Sequence, residues 1–394
     1  MVKNNKSLWR VGTKEANYAH KAIKNGLRGE FTKEFEIKFA QKFENKYAIA
    51  CNSGTSALHA CMYAMGIRAG DEVLVPSLTF VATSFAPLYV GAKPVFVDVD
   101  PNTWLMCPKD AEKKITKKTK AIITVSLFGA SPDYDKLNKI KRKYNLKILE
   151  DNAQSIFGSY KNKLIGTIGD MSIFSLQRSK HLTTGDGGVI VTNNKTLAEN
   201  ARKFADLGYA RLCADSKATQ VSKEEIQDPS YLRHELIGLN LRMPEVIAAM
   251  GIAQLEKIEM FVRKRIFIAN LFHEKLKECD WLTSQEIQKN TTSSYWTYVI
   301  SLNGKNPKVT WHKFKDKFIE YGGHSFYGSW AVNYKEPAFL KYYQKKKIKL
   351  PFTPVAEKLQ PTLIQLKTNF DTKKEAIKQA SALAKTIKFF DSIR

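Results

Sequence analysis

Asp151 closes the apolar run Leu146-Lys147-Ile148-Leu149-Glu150-Asp151. Lys180 follows 29 residues later in the loop Ser179-Lys180-His181-Leu182-Thr183-Thr184-Gly185-Asp186-Gly187-Gly188. An acid at the carboxyl end of a buried strand is costly unless something pairs with it. A lysine attacks an aldehyde only when unprotonated, a state favoured by partial burial and nearby positive charge. The two together match what an enzyme needs to hold pyridoxal phosphate: a carboxylate for the ring nitrogen, an amine for the aldehyde, and small polar groups for the phosphate. Alone, Asp151 reads as a cap or turn residue and Lys180 as one solvated lysine among many.

Three further segments extend this constellation. Asn52-Ser53-Gly54-Thr55-Ser56-Ala57-Leu58 follows a short apolar strand and opens an apolar helix. Free amides at a helix N-terminus bind phosphate, and Gly54 permits close approach. Ser175, at the end of Met171–Leu176, is placed to add a hydroxyl to the same anion. Phe80, in Pro76-Ser77-Leu78-Thr79-Phe80, offers a ring for stacking or a core side chain. Gln154 lies three residues past Asp151, where it either meets a cofactor ring hydroxyl or is a helix-surface amide. Asn240, in Gly238-Leu239-Asn240-Leu241-Arg242-Met243-Pro244, reads by itself as a cap. His181 receives no role, because a lone histidine beside a catalytic residue is more often structural.

The elements that must position these residues alternate. Strands are expected at 47–51, 72–75, 94–99, 121–125, 146–150, 171–176 and 188–191. Helices are expected at 33–43, 57–65, 80–90, 109–115, 133–144 and 196–204. Such alternation indicates an α/β fold with a mostly parallel sheet covered on both faces, with ligands at the carboxyl ends of its strands. Residues 205–241, polar over 214–229, read as a long loop of the kind that is either functional or mobile. Pro244–Val262 is expected to form a helix running on toward Cys279. The last part carries an aromatic strand at 294–302 and helices at 311–321 and 372–390. The organisation expected is an N-terminal arm (1–28), a large cofactor-binding domain (29–279) and a smaller α+β domain (280–394).

Composition sets the outer limits. The chain has 394 residues, of which 43% are hydrophobic and 26% charged, as in soluble globular proteins. No run is long and apolar enough for a membrane span, and the start has no signal-peptide core, so a cytoplasmic protein is expected. Five widely spaced cysteines form no C-x-x-C pair, and the histidines lack ligand spacing, so neither a disulfide framework nor a metal is expected. The net charge of +25 comes from lysines spread along the chain, with 12 arginines among the 63 basic residues. Dispersed charge argues against nucleic-acid binding and favours an anionic small-molecule substrate.

Taken together, these segments resemble the DegT/DnrJ/EryC1/StrS family of pyridoxal-phosphate-dependent aminotransferases, which act on keto sugars. Also matching are Val81-Ala82-Thr83, Val97-Asp98-Val99-Asp100, Gly169-Asp170, Ala248-Ala249 and Gln254-Leu255. The resemblance implies a fold type I homodimer with shared active sites. It implies Lys180 as the Schiff-base lysine and proton carrier, Asp151 on the pyridine nitrogen, Gln154 near the ring hydroxyl and Phe80 stacked on the ring. Gly54, Thr55 and Ser175 would hold the phosphate, with Asn240 reaching it from the neighbouring subunit. The implied reaction moves an amino group from an amino acid, commonly glutamate, to a keto sugar, most simply a nucleotide-linked 3- or 4-keto-6-deoxy sugar. Phe174-Ser175-Leu176-Gln177 is closer to the branch acting on cyclitol ketones, which stays an alternative. A second alternative is the family's sugar dehydratases, which carry histidine in place of the lysine; here Lys180 holds that place and His181 follows it.

Overall fold

The computed structural model describes residues 9–219 and 221–394. Seven strands form the main sheet: β1 (Tyr47–Cys51), β2 (Glu72–Pro76), β3 (Lys93–Val97), β4 (Thr119–Val125), β5 (Lys147–Asp151), β6 (Met171–Ser175) and β7 (Gly188–Thr192). Their order is β1-β7-β6-β5-β4-β2-β3. The pairs β3/β2, β2/β4, β4/β5 and β5/β6 are parallel, whereas β7 runs antiparallel to both β6 and β1. The strands are short, β-branched and buried, as sheets covered on both faces require. This is the α/β architecture expected from the alternation, in the fold type I form that the resemblance implies.

Helices α1 (Thr13–Lys24), α2 (Glu30–Lys42), α3 (Gly54–Ala64) and α4 (Val81–Tyr89) open the chain around this sheet. Helices α3 and α4 begin directly after β1 and β2. Their N-termini therefore point to the sheet edge where β5 ends in Asp151 and β6 in Ser175. Ser53 caps α3, its Oγ accepting from the Ser56 amide at 3.0 Å.

A second, antiparallel sheet sets Thr297–Leu302 between Leu282–Ser284 and Leu363–Lys367. Its core takes in Ile268, Phe272 and Leu276 from the helix Ile258–Leu276, and Leu383 and Phe390 from the closing helix Lys373–Ser392. Tyr334, Phe339 and Tyr343 pack instead on the main-sheet core beside Phe96.

Two expectations are corrected. The helix expected to run unbroken from Pro244 is two helices, Glu245–Leu255 and Ile258–Leu276. The junction is where α1 takes hold: Lys257 pairs with Glu15, and Glu256 accepts from Tyr18 at 2.7 Å. The strand expected from Ser294 starts at Thr297. Ser294 is drawn away from pairing, its amide donating to the Gly129 carbonyl at 3.0 Å, and Tyr295 adopts a left-handed φ of 44°. Residues 205–241 are irregular apart from short pieces, among them the helix Lys223–Gln227, and they leave Leu232 and Ile237 almost fully exposed.

Candidate active site

A cavity of about 1120 Å³ opens at the carboxyl ends of β4, β5 and β6. Gly54, Thr55, Phe80, Asp151, Gln154, Ser175 and Lys180 all line it. Asn240 does not; it is exposed, bridged through its backbone to Asp206.

At the floor, Asp151 is 3% exposed. Its Oδ2 accepts from Thr83 Oγ1 at 2.7 Å and its Oδ1 from the Ala153 amide at 3.1 Å. Burial raises its pKa, against the lowering effect of Thr83, Ala153 and the nearby Lys180. Among the described residues this carboxylate has hydrogen bonds but no ion-pair partner in contact, an arrangement that a pyridinium N–H would complete.

Lys180 faces it from the loop after β6. Its Nζ lies 4.5 Å from the ring centroid of Trp296, a cation–π distance when the amine is charged. Burial lowers its pKa to about 8, helped by Arg265 and opposed by Asp151. At neutral pH a usable fraction of free amine is therefore at hand, as a nucleophile and proton carrier requires.

The phosphate end is built as the α3 N-terminus implies. The Ser56 amide is taken by Ser53 Oγ and the Ala57 amide by the Ser53 carbonyl, which leaves those of Gly54 and Thr55 for an anion. A Cβ on Gly54 would stand 3.1 Å from Ser175 Cβ and 3.4 Å from its Oγ, inside the cradle. Gln154 Oε1 accepts from the Phe128 amide at 2.9 Å, so its Nε2 donors are what it presents to the cavity. Phe80, half exposed, meets Trp330 edge-on at 5.9 Å, and Trp330 stacks with Trp296 at 6.0 Å. These residues fit pyridoxal phosphate in charge, donor set and shape.

His181 is fully buried and outside this lining. Its Nε2 sits 2.9 Å from the Ser294 carbonyl and so carries the proton. Burial and the charges of Arg265, Arg10 and Lys180 lower its pKa well below the ordinary histidine range, keeping the ring neutral. It is Lys180, not His181, that faces Asp151.

A family model for the DegT/DnrJ/EryC1/StrS aminotransferases matches residues 10–383. The chain belongs to that family. It is a pyridoxal-phosphate-dependent transaminase. Among curated relatives, it is 35% identical over 311 residues to the GDP-perosamine synthase of Escherichia coli O157:H7, covering 78% of this chain and 80% of that one. Among solved structures, an aminotransferase from Psychrobacter cryohalolentis superposes with a TM-score of 0.87 at 27% identity, covering 98% and 99% of the two chains. The E. coli GDP-4-keto-6-deoxy-D-mannose-3-dehydratase with bound hydrated pyridoxal phosphate superposes at 0.82 with 25% identity, covering 95% and 97%.

Several cavity residues carried no marker in the motifs: Trp296, Tyr327, Trp330 and Lys367 come from the second sheet and its connections. Arg265 did leave a trace: it interrupts the apolar stripe Phe261, Val262, Ile268, Ala269, Phe272, where a charge has no ordinary place.

Among the described residues no cluster is suited to a metal ion, and no helix is long and apolar enough to cross a membrane.

Proposed function

We propose that this family member moves the amino group of an amino acid, with glutamate the expected donor, to the ketone of a nucleotide-linked 3- or 4-keto-6-deoxy sugar. The observation that carries the reading is Lys180 facing Asp151 across the cavity while His181 is turned into the core. Pyridoxal phosphate supplies the aldehyde that accepts the amino group and a ring that takes up the electron pair left when a proton departs.

The chain's own residues would do the rest. Asp151, steadied by Thr83 and Ala153, would hold the proton on the ring nitrogen. Lys180 Nζ would take the proton from the donor carbon and return one to the acceptor carbon. Gly54, Thr55 and Ser175 would hold the phosphate, Phe80 would cover the ring face and Gln154 would donate to the ring oxygen.

The cavity's size supports a large substrate, since it exceeds what a cofactor of this size fills. Arg178, Arg265 and Lys367 line it against the acids Asp151 and Asp186, which supports an anionic one. The relatives point the same way: a GDP-perosamine synthase, a spore coat polysaccharide biosynthesis protein of Bacillus subtilis and a UDP-2-acetamido-2-deoxy-3-oxo-D-glucuronate aminotransferase of Pseudomonas aeruginosa. A homodimer with shared sites is part of the proposal. Asn240 is exposed and outside its own chain's cavity, and Leu232 and Ile237 nearby are bare apolar side chains of the kind a second copy covers.

The test is spectroscopic. The purified protein with cofactor should show the visible band of lysine-linked pyridoxal phosphate, glutamate should bleach it, and Lys180→Ala should never form it. GDP- and UDP-linked 3- and 4-keto sugars should then restore the band and yield amine. A protein without the band sinks the reading. Restoration by cyclitol ketones alone moves the substrate to that branch, and sugar deoxygenation in place of amination moves the reaction to dehydration.

A further inference from the structure

Two arginines lie behind the Lys180 loop, each at most 2% exposed. Arg10 comes from the segment before α1. It donates through Nη2 to the Arg178 carbonyl at 2.8 Å, and through Nη1 to the His181 carbonyl at 2.8 Å and to the Lys180 carbonyl. Arg265 comes from the helix Ile258–Leu276. Its Nη2 reaches the Ser179 and Lys180 carbonyls at 3.5 and 3.4 Å, and its Nη1 donates to the Trp296 carbonyl at 2.7 Å and to Thr368 Oγ1 at 3.0 Å. Four consecutive carbonyls, 178 to 181, thus each receive a guanidinium hydrogen bond.

Among the described residues neither guanidinium is ion-paired. Arg202, the third deeply buried arginine, shows the usual solution, with Glu36 at 3.0 Å. Glu15, five residues on, is occupied by Lys257 and Gln254. Burying an unneutralised cation is expensive, and two such cations meet at the loop that carries the reactive amine.

We propose that Arg10 and Arg265 are positioning residues for transamination, a carboxylate-free clamp that fixes the Lys180 backbone and, through Arg265, sets a positive charge against its amine. The proposal rests on the reading of Lys180 as the amine of the site. The other charged groups around that amine are Asp151 from β5, which opposes the effect, and Arg178, Asp186 and Lys367 around the cavity; His181, next in the chain, is neutral. Arg265 itself lines the cavity, so its repulsion acts on Lys180 within the site. Arg10 acts from behind, through the carbonyls.

The readout is the pH dependence of Lys180 acetylation by a small amine-selective reagent, followed by peptide mass spectrometry on the full-length chain without added cofactor. The wild-type midpoint is expected at about 8. Arg265→Met should raise it by on the order of one pH unit. Arg265→Lys, which keeps the charge but cannot fork, should leave the midpoint near wild type while lowering kcat more than it changes KM. A folded Arg265→Met protein with an unmoved midpoint overturns the proposal. If that variant does not fold, a wild-type midpoint at the ordinary lysine value of 10.5 overturns it with no variant needed. Because no cofactor is present, failure of the visible band to form would strike the proposed function and leave this result standing.

Discussion

Thr83 Oγ1 lies 2.7 Å from Asp151 Oδ2, joining the first turn of α4 to the end of β5 beneath the cavity. The pair places a negative charge at the cavity floor, where it has little contact with solvent. Its cost is borne by the protein without cofactor and recovered only when a cation sits above it.

Asp151→Asn should therefore separate stability from function. Asp151 has a folded pKa raised above its unfolded value. Its ionised form thus opposes folding at neutral pH; this penalty shrinks as pH falls through the raised pKa and is gone below the unfolded value. The cofactor-free Asn variant should melt higher than wild type at pH 7, with the gain shrinking toward pH 4. Its transamination kcat should drop on the order of 10²-fold or more. Melting curves at the two pH values, with single-turnover kinetics, check both halves.

Thr83→Val keeps the shape and removes the hydroxyl. Asp151 then retains the Ala153 amide, and its carboxyl should protonate still more readily. A loss of about 1–2 kcal/mol in transition-state stabilisation corresponds to roughly a 10-fold lower kcat. The acid limb of the pH–rate profile should move to higher pH.

Gly54→Ala puts a methyl 3.1 Å from Ser175 Cβ, within the phosphate cradle. Cofactor affinity should weaken about 10-fold, near 1.4 kcal/mol. The melting temperature without cofactor should hardly change, since alanine suits the first turn of a helix at least as well. Equilibrium dialysis and a thermal melt give the two numbers.

His181→Asn tests the assignment of the lysine over its neighbour. The substitution removes the donor to the Ser294 carbonyl and should cost about 1–3 kcal/mol of stability. The visible band and the glutamate half-reaction should stay within a few-fold of wild type. Loss of the half-reaction in a protein that still binds cofactor would give His181 a chemical role that its place in the core does not suggest.

Asn240 is tested by mixing chains. Lys180→Ala and Asn240→Ala proteins, each inactive or weak alone, should recover activity when refolded together. In a shared-site dimer, one site of the hybrid then has Lys180 from one chain and Asn240 from the other. No recovery would place Asn240 in the service of its own chain.

The sheet was readable because buried parallel strands announce themselves as short β-branched runs, and Asp151 and Ser175 are the last residues of two of them. The phosphate cradle was readable because strand, glycine turn and helix follow one another locally. What sequence could not supply is whatever reaches the cavity from far along the chain. Thr83 stood in a matching segment but had no role until β5 brought Asp151 beside it. Trp330 sits in a stretch without period, and its value lies in stacking on Trp296, 34 residues away. Arg10 falls in a stretch that reads as an arm, and only the packing of α1 on Glu245–Leu255 brings it under Lys180. The helix break at Glu256–Lys257 was hidden for the same reason, since its contacts come from α1.

The loop carrying Lys180 is held at its carbonyls by Arg10, 170 residues earlier, by Arg265, 85 residues later, and by the Trp296 indole, whose Nε1 donates to the Ser179 carbonyl 117 residues away. Contacts so distant in sequence form late, after the loops between them have closed. A chain emerging from the ribosome thus displays each of its recognisable motifs by residue 255 and yet lacks a finished reactive lysine until residue 296 has been made and docked. Hydrogen exchange during refolding should see the amides of 178–181 gain protection with the last cooperative unit, well after those of the main sheet.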